Sequence, residues 1–508
     1  MRYNKKQNTY KGVLYGGLNK IVSLLFPFIV RSLLIKKLGI EYVGLNTIFA
    51  SILSILSFTE LGFGQVMIYS LYKPIAQNDT KKICALYNFY KKVYKIIGLV
   101  MLILGLAFLP FIKFFVSTDC PEGINLYLLY GIYLFNAVIS YWLFAYKDCL
   151  LSAHQQYYIS SIALLIVTIL KSVLEIIVIL VWSNYLVYVI VLPFSTVVYN
   201  LIISVFADKK FPQYVCKGEI SKEEEKTIGK TVAAGIGHKL GPSATASIDN
   251  VVVSSFLGVT ALGIYSNYSY VQNSVVAFFS IWFTSMSAGI GNSLETDSIE
   301  KNYTDFNNLT FINNFMVGLC SICLLCLYQP FMILWVGSEM AYSGMLTIVL
   351  LSVMFYTQQM RSVVTTYKSA AGMWRIDRLK PYITALMNLI LDLILVNICG
   401  INGIVLSTIL ARSAIGLPWE TNALFRELFK RSPKRYYIFL IKNTIIWIVI
   451  GITAFYLTSL ISIYGVLGFI IKALFCCMFS AILFLAFQIK NPSCKYLIGL
   501  IQLIIKRT

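Results

Sequence analysis

The sequence predicts an all-α polytopic membrane protein of about 14 transmembrane helices, arranged as two pseudo-symmetric six-helix lobes plus two C-terminal helices. Three observations predict it. Of the 508 residues, 58% are hydrophobic and only 13% charged, with a mean hydropathy of +0.76. Soluble domains are nearer 45–50% apolar and about 25% charged. The apolar residues run on in stretches of roughly 20 or more, the length of a helix crossing a core of about 30 Å. They lack the ~10-residue alternation of a membrane β-barrel. Finally, a short motif recurs at a fixed offset.

The first apolar run, 10–35, follows a basic start. It is too long for a signal peptide and lacks a small-x-small cleavage site, so it reads as a retained first span. Runs at 43–70, 88–116, 125–147, 158–182 and 184–206 complete an N-terminal lobe, 1–206. The longest polar stretch, DKKFPQYVCKGEISKEEEK at 208–226, reads as part of a cytoplasmic linker, 207–228. Six further runs, 229–256, 260–287, 308–335, 341–368, 381–400 and 402–425, make a C-terminal lobe, 229–425. Runs at 437–461 and 465–487 add two spans and, with a cytoplasmic tail, form 426–508. The loops on the outer side are short, which removes a large external catalytic domain.

The lobes are suggested by a repeat. The connection between the first two runs reads LGIEYVGL, with Gly39 and Gly44; that between the seventh and eighth reads LGVTALGI, with Gly258 and Gly263. Both glycine pairs are 219 residues apart, and the same offset pairs Gly16 with Gly235 and Lys20 with Lys239. Six spans per half is even, so both halves point the same way and their pseudo-twofold axis runs along the membrane normal.

The net charge of +20 is not a nucleic-acid signature, because its distribution follows the membrane. One set of alternate loops and ends holds Arg2, Lys5, Lys6, Lys81, Lys82, Lys209, Lys210, Arg375, Arg378, Arg431, Lys434, Lys506 and Arg507, among others. The opposite set holds Lys36, Lys37 and Lys113. This asymmetry places both termini in the cytoplasm, with the basic excess facing anionic headgroups. The eleven cysteines show no paired spacing and the two histidines no ligand cluster, so neither a disulfide framework nor a metal site is indicated. No Walker loop, nucleophile elbow or metal motif occurs. The chain reads as a non-enzyme that needs no cofactor and does not bind ATP.

At least seven apolar runs carry an ionisable residue well inside them. Each costs roughly 2.5–3.5 kcal/mol at a helix centre, which points to a polar path and hence to transport. Lys20 lies nine residues past Lys11, or roughly 13 Å into the membrane, and Lys239 holds the matching place. Together they suit an anion bound between the lobes; alternatively each neutralises a nearby carboxylate. Arg31 lies beyond Pro27, and Asp249 at a similar depth beyond Pro242. They read as a gate pair, or Arg31 holds departing substrate or snorkels to the interface. Glu60 reads either as a proton- or sodium-coupling carboxylate or as the partner of Lys20. Asp392 and Arg412 face each other across a hairpin and read as a structural pair, with Asp392 a further coupling candidate. Lys171 and Glu175 neutralise each other on one helix, although in the weaker order for such a pair. Arg361 has no sequence-local partner and reads as a cavity cation.

Two stretches carry a resemblance. IVRSLLIKKLGIEYVGLNTIFASILSILSFTELGFGQVMIYSLYKPIAQNDTKKICALYNFYKKVYKIIG resembles the start of bacterial polysaccharide flippases of capsule and O-antigen pathways. HKLGPSATASIDNVVVSSFLGVTALGIYSNY resembles the matching region of the second half. The resemblance implies the two-lobed bundle of the multidrug, oligosaccharidyl-lipid and polysaccharide exporter superfamily, in the cytoplasmic membrane. It implies an undecaprenyl-diphosphate-linked oligosaccharide as substrate and a cation-lined central cavity, where Lys20, Arg31 and Lys239 would be the cations; Arg361, read above as a cavity cation, is the fourth substrate-binding candidate. Glu60, Asp249 and Asp392 would be the ion-coupling candidates. The polymerase and chain-length machinery of such a pathway are the protein partners it implies. A lipid II flippase is chemically close. A multidrug antiporter should favour acidic over basic cavity residues, and a membrane polymerase should carry a sizeable outer loop.

Overall fold

The computed structural model describes residues 5–57, 63–116, 120–121, 123–342, 344–373, 376–463 and 465–507, with side chains described outside 5–10, 12–13, 233–243, 498, 500–501 and 503–507. Its described elements are all helical. Among the described residues ten helices are long and apolar enough to cross a bilayer, or eleven if one bent pair is counted as a single span. One of the ten, Ala244–Thr296, covers the latter part of the seventh and all of the eighth expected span. Two compact units result, Met1–Gly263 and Ile264–Thr508.

In the first unit, α1 (Lys5–Lys37) is a single helix with Pro27 inside it. Over the expected second span the described helices are α2 (Ile40–Leu56) and α3 (Phe63–Ala76). α4 (Thr80–Phe108) is capped by Asp79, whose carboxylate accepts from the Lys82 amide at 2.9 Å. After the short α5 (Ile112–Phe115), α6 (Leu126–Trp142) is capped by Asn125. It bends by 41° into the next helical stretch, ending in α7 (Asp148–Ala153), because Phe144 adopts a left-handed φ of 59°. α8 (Tyr157–Val181) and α9 (Tyr185–Lys210) follow.

α1 packs along α8, α8 along α9, and α6 against α4 and α9. Small residues set these distances. A Cβ on Gly98 would lie 2.2 Å from the Trp142 indole nitrogen, and one on Gly105 2.3 Å from Leu134. The indole fills the first notch and donates to the Lys95 carbonyl at 3.1 Å.

The linker continues into α10 (Lys222–Thr296), whose helical path breaks at Gly258. This break and the turn at Gly39 are the two halves of the repeated motif. Gly39 has φ 127°, ψ 163° and Gly258 φ 90°, ψ 168°, both in the region that favours glycine. The second glycine of each motif meets the other motif. A Cβ on Gly44 would lie 2.0 Å from the Val259 carbonyl oxygen, and one on Gly263 2.5 Å from that of Ile40. Close backbone approach of this kind is what small residues permit between membrane helices.

The second unit is built on α11 (Ile299–Val336), capped by Ser298. α12 (Met345–Met360) and α13 (Ser362–Ala370) form the expected tenth span, interrupted at Arg361. α14 (Lys380–Cys399) and α15 (Ile401–Ala411) form a hairpin. α16 (Leu417–Leu424) lies between two π-helical turns, Arg412–Gly416 and Phe425–Phe429. Then come α17 (Lys434–Ser459), α18 (Gly465–Gln488) and α19 (Pro492–Arg507).

α17 and α18 dock on α11 through one side chain above all. Trp447 sits where any Cβ on Gly318 would be, 1.9 Å from its ring. It stacks on Phe484 at 4.3 Å and 6°, and its indole donates to Asn314 Oδ1 at 3.0 Å. A buried amide relay continues from Gln488 to Asn443 at 2.9 Å.

Candidate functional site

The polar features of the first unit gather on α1, α2 and the early part of α10. Lys20 and Arg31 are eleven residues apart on α1, close to three full turns. They therefore share one face, roughly 16 Å apart along the axis. Lys20 is exposed. The exposed apolar stripe of Leu14, Leu18, Ile21, Leu25 and Ile29 is centred about 140° round the same helix. Lys20 thus stands away from the most apolar exposed face.

Arg31 lines a cavity of about 330 Å³ with Asn46, Thr47, Ala50, Ser51 and Ser54 of α2 and Ser247 and Asn250 of α10. On α2 these polar groups fall at helical spacing, while Val43, Leu45, Ile48, Phe49 and Ile52 bury the rest of its circumference. Asn250 donates to Ser51 at 2.9 Å, tying α10 to α2. Tyr133 donates to Asn46 Oδ1 at 2.7 Å, fixing that amide from α6. Asp249, expected at the depth of Arg31, is buried at 3% exposure and is next in sequence to cavity-lining Asn250. The hydroxyl and amide stripe went unseen in the sequence, where attention was on charges. Its signal was there in Asn46, Thr47, Ser51 and Ser54, four polar residues on one face of an otherwise apolar helix.

Lys239 lies within α10, but its side chain is outside the described residues. Glu60 is outside them altogether, so the Lys20–Glu60 pairing is not described. Lys171 and Glu175 form the expected pair at 3.6 Å.

In the second unit, Asp392 is fully buried on α14. It accepts from the Asn388 amide at 2.6 Å and from the Ser407 hydroxyl of α15. Arg412 donates to Gln358 Oε1 at 2.9 Å. These neutral donors were not anticipated beside Asp392.

Arg361 has a partner that lies far off in sequence. Its guanidinium donates to Glu420 Oε2 through Nη2 at 2.7 Å and Nε at 3.1 Å. Glu420 also accepts from Lys380 and, at 3.5 Å, from Lys368, which in turn pairs with Asp377. The five side chains are 0–15% exposed. Three cations therefore converge on Glu420: Arg361 from the junction of α12 and α13, Lys368 from α13 and Lys380 from α14. Glu420 was overlooked because it lies near the end of its span, 59 residues from Arg361.

Outside the spans, the linker docks on the first unit. Lys147 donates to Asp208 at 2.6 Å and to Ser204 at 2.8 Å. Asn88 donates to the Gly218 carbonyl at 2.9 Å, and Lys82 pairs with Glu224. His154 packs against Phe211 with ring centroids 4.2 Å apart and tilted by 34°; burial holds its pKa below the ordinary value, opposed by the hydrogen bond to the Leu150 carbonyl. Among the described residues no group of three or more His, Cys, Asp or Glu is placed to hold a metal ion. Two of the thiols that showed no sequence pairing do meet: Cys323 Sγ of α11 lies 3.4 Å from Cys477 Sγ of α18.

No protein-family model matches the chain, and no curated protein matches it in sequence. Solved structures do match. The lipid II flippase MurJ in an inward closed conformation aligns with 94% of this chain and 99% of its own at TM-score 0.70 and 16% identity. An inward-facing multidrug resistance MATE transporter of the MOP superfamily covers 80% of this chain and 94% of its own at 0.66 and 14%. A MOP superfamily transporter from Pyrococcus furiosus, described as having a binding pocket of reversed polarity, covers 85% and 98% at 0.58 and 15%. At such identities the likeness establishes the fold, and this chain has the fold shared by the MurJ flippase and the MATE transporters.

Proposed function

We propose that the chain is a flippase of the cytoplasmic membrane that moves undecaprenyl-diphosphate-linked oligosaccharide repeat units from the inner to the outer leaflet. The product would feed capsule, exopolysaccharide or O-antigen synthesis and its polymerase and chain-length machinery. One observation carries the reading: on a flippase fold, α1 presents Lys20 and Arg31 on a single face, with Arg31 lining a polar cavity. A diphosphate in bare hydrocarbon would cost tens of kcal/mol on an idealised estimate, and unbonded sugar hydroxyls would add to it. A hydrated basic path lowers both costs while the polyprenyl tail stays in lipid. Basic residues there argue against a cationic drug.

In this reading lobes 1–206 and 229–425, joined by the linker 207–228, rock about the substrate, and 426–508 is an addition. Lys20 and Lys239 hold the diphosphate and Arg31 the head group farther along; Arg361, held by Glu420, contributes field more than contact. Asp249 and Asp392, both buried, and Glu60 are the coupling carboxylates. The chain performs no covalent chemistry. A second reading, a lipid II flippase, is favoured by the extent of the MurJ alignment.

The test is flipping of fluorescent undecaprenyl-diphosphate glycans in proteoliposomes. Each charge-assisted phosphate contact contributes about 1.5–3 kcal/mol. Lys20→Ala and Lys239→Ala should thus slow transport about ten- to a hundredfold. Recovery in Lys20→Ala with Glu60→Ala would reduce Lys20 to a structural partner. Exclusive transport of a peptide-bearing disaccharide would select lipid II. Both termini lie in the cytoplasm in this reading, so an impermeant thiol reagent on intact cells should reach Cys120 and not Cys216.

A further inference from the structure

The N-terminal half of α4 is a basic surface with almost no acid of its own. Lys81, Lys82, Lys91, Lys92 and Lys95 lie on it, and apart from the capping Asp79 no carboxylate accompanies them before Phe108. The linker supplies the missing acid. It lies across α4 at positions 82, 85, 88 and 92, which are three or four apart and so share one face. Glu224 pairs with Lys82, and Glu219 with Lys92 at 3.1 Å. Between these pairs Asn88 donates to the Gly218 carbonyl at 2.9 Å. Gly218 has a left-handed φ of 88°, and a Cβ on it would stand 3.4 Å from that of Ala85. Over 211–221 only Phe211 and Ile220 are buried.

A segment held in this way is open to competition. Lys92 and Glu219 keep 56% and 81% of their side-chain surface, and exposed ion pairs contribute little and yield to other charges. A lysine beside an anionic membrane surface gains about as much as such a pair holds, and Lys81, Lys92 and Lys95 are exposed. We propose that the linker over 211–224 is an electrostatic strap on the basic face of α4, and that anionic phospholipid headgroups displace Glu219 and Glu224 from Lys92 and Lys82. Docking then weakens as the anionic lipid content of the leaflet rises, which frees the chain between α9 and α10. The inference rests on the orientation in the flippase reading, which sets these lysines at the cytoplasmic headgroups.

Hydrogen exchange over 215–221 tests this, on the full-length protein in nanodiscs at constant pH, with binding of spin-labelled phosphatidylglycerol measured in parallel. Exchange should be about tenfold faster in discs rich in phosphatidylglycerol than in discs of phosphatidylcholine alone. Glu219→Gln with Glu224→Gln should exchange fast in both lipids and bind more phosphatidylglycerol than the wild type, because Lys82 and Lys92 are freed. Lys82→Ala with Lys92→Ala should also exchange fast in both and bind less. Equal exchange of the wild-type strap in the two lipids overturns the proposal. So does a glutamine variant that binds no more phosphatidylglycerol than the wild type. Release in phosphatidylcholine discs by soluble glycerol 3-phosphate would overturn it too, by making the competitor a free anion. Labelling of Cys216 by an impermeant thiol reagent on intact cells, with lipid-dependent release preserved in nanodiscs, would instead defeat the orientation and leave the strap standing.

Discussion

Replacing Glu420 by glutamine is the most direct probe of the second unit. The carboxylate is 2% exposed and is the meeting point of Arg361, Lys380 and Lys368. Glutamine keeps the shape and removes the charge. Among the described residues the ion pairs then left to the three buried cations reduce to that of Lys368 with Asp377. Removing one partner of a buried pair costs about 3–5 kcal/mol, because the uncompensated charge stays in a poor dielectric. For a unit of this size each kcal/mol shifts the melting temperature by about 2–4 °C, so a fall of roughly 6–20 °C is expected. Arg361→Met should cost less, since Glu420 keeps Lys380 and Lys368. The double variant should melt above Glu420→Gln alone, because it removes one of the stranded cations. The assay is the apparent melting temperature of the detergent-purified protein. A Glu420→Gln protein that melts with the wild type would refute the reasoning. So would an Arg361→Met protein less stable than Glu420→Gln, since it would mean that Arg361 does not depend chiefly on Glu420.

Gly44→Ala should lower the melting temperature and impair insertion, because its Cβ would lie 2.0 Å from the Val259 carbonyl, which is backbone and can move only with its helix. Gly17→Ala, with open space around it, should instead be neutral or gain up to about 1 kcal/mol of helix propensity; equal losses at both sites would remove the packing argument. For the linker, the burial-lowered pKa of His154 means that the undocked state takes up a proton first as pH falls. Docking is therefore at full strength above the ordinary histidine pKa and weakens below it. Hydrogen exchange over 211–221 should rise between pH 7.5 and 5.5, and His154→Phe should flatten that dependence. Asp392→Asn should keep substrate binding in proteoliposomes and lose dependence on the ion gradient; unchanged dependence would leave Asp249 and Glu60 as the carboxylates to test.

What the sequence revealed and what it hid divide along physical lines. Long apolar runs announce spans because lipid leaves the backbone no other partner, so the helices fall where the runs do. The breaks inside runs were hidden. Phe144 in a left-handed conformation and the interruption at Arg361 carry no glycine or proline to announce them. The repeated glycine motif was legible because two constraints act at once: Gly39 and Gly258 need a conformation, and Gly44 and Gly263 need an absence of side chain. Charges were legible as residues and not as pairs. Lys171 and Glu175, one turn apart, could be paired by eye, whereas Arg361 and Glu420 could not, because their proximity follows from how α13 and α16 pack. The uncharged wall of the Arg31 cavity was least visible of all. Serine, threonine and asparagine are tolerated in membrane helices by bonding back to their own backbone, as Thr47 does. Only their convergence from α2 and α10 beside Arg31 gathers them into one polar wall.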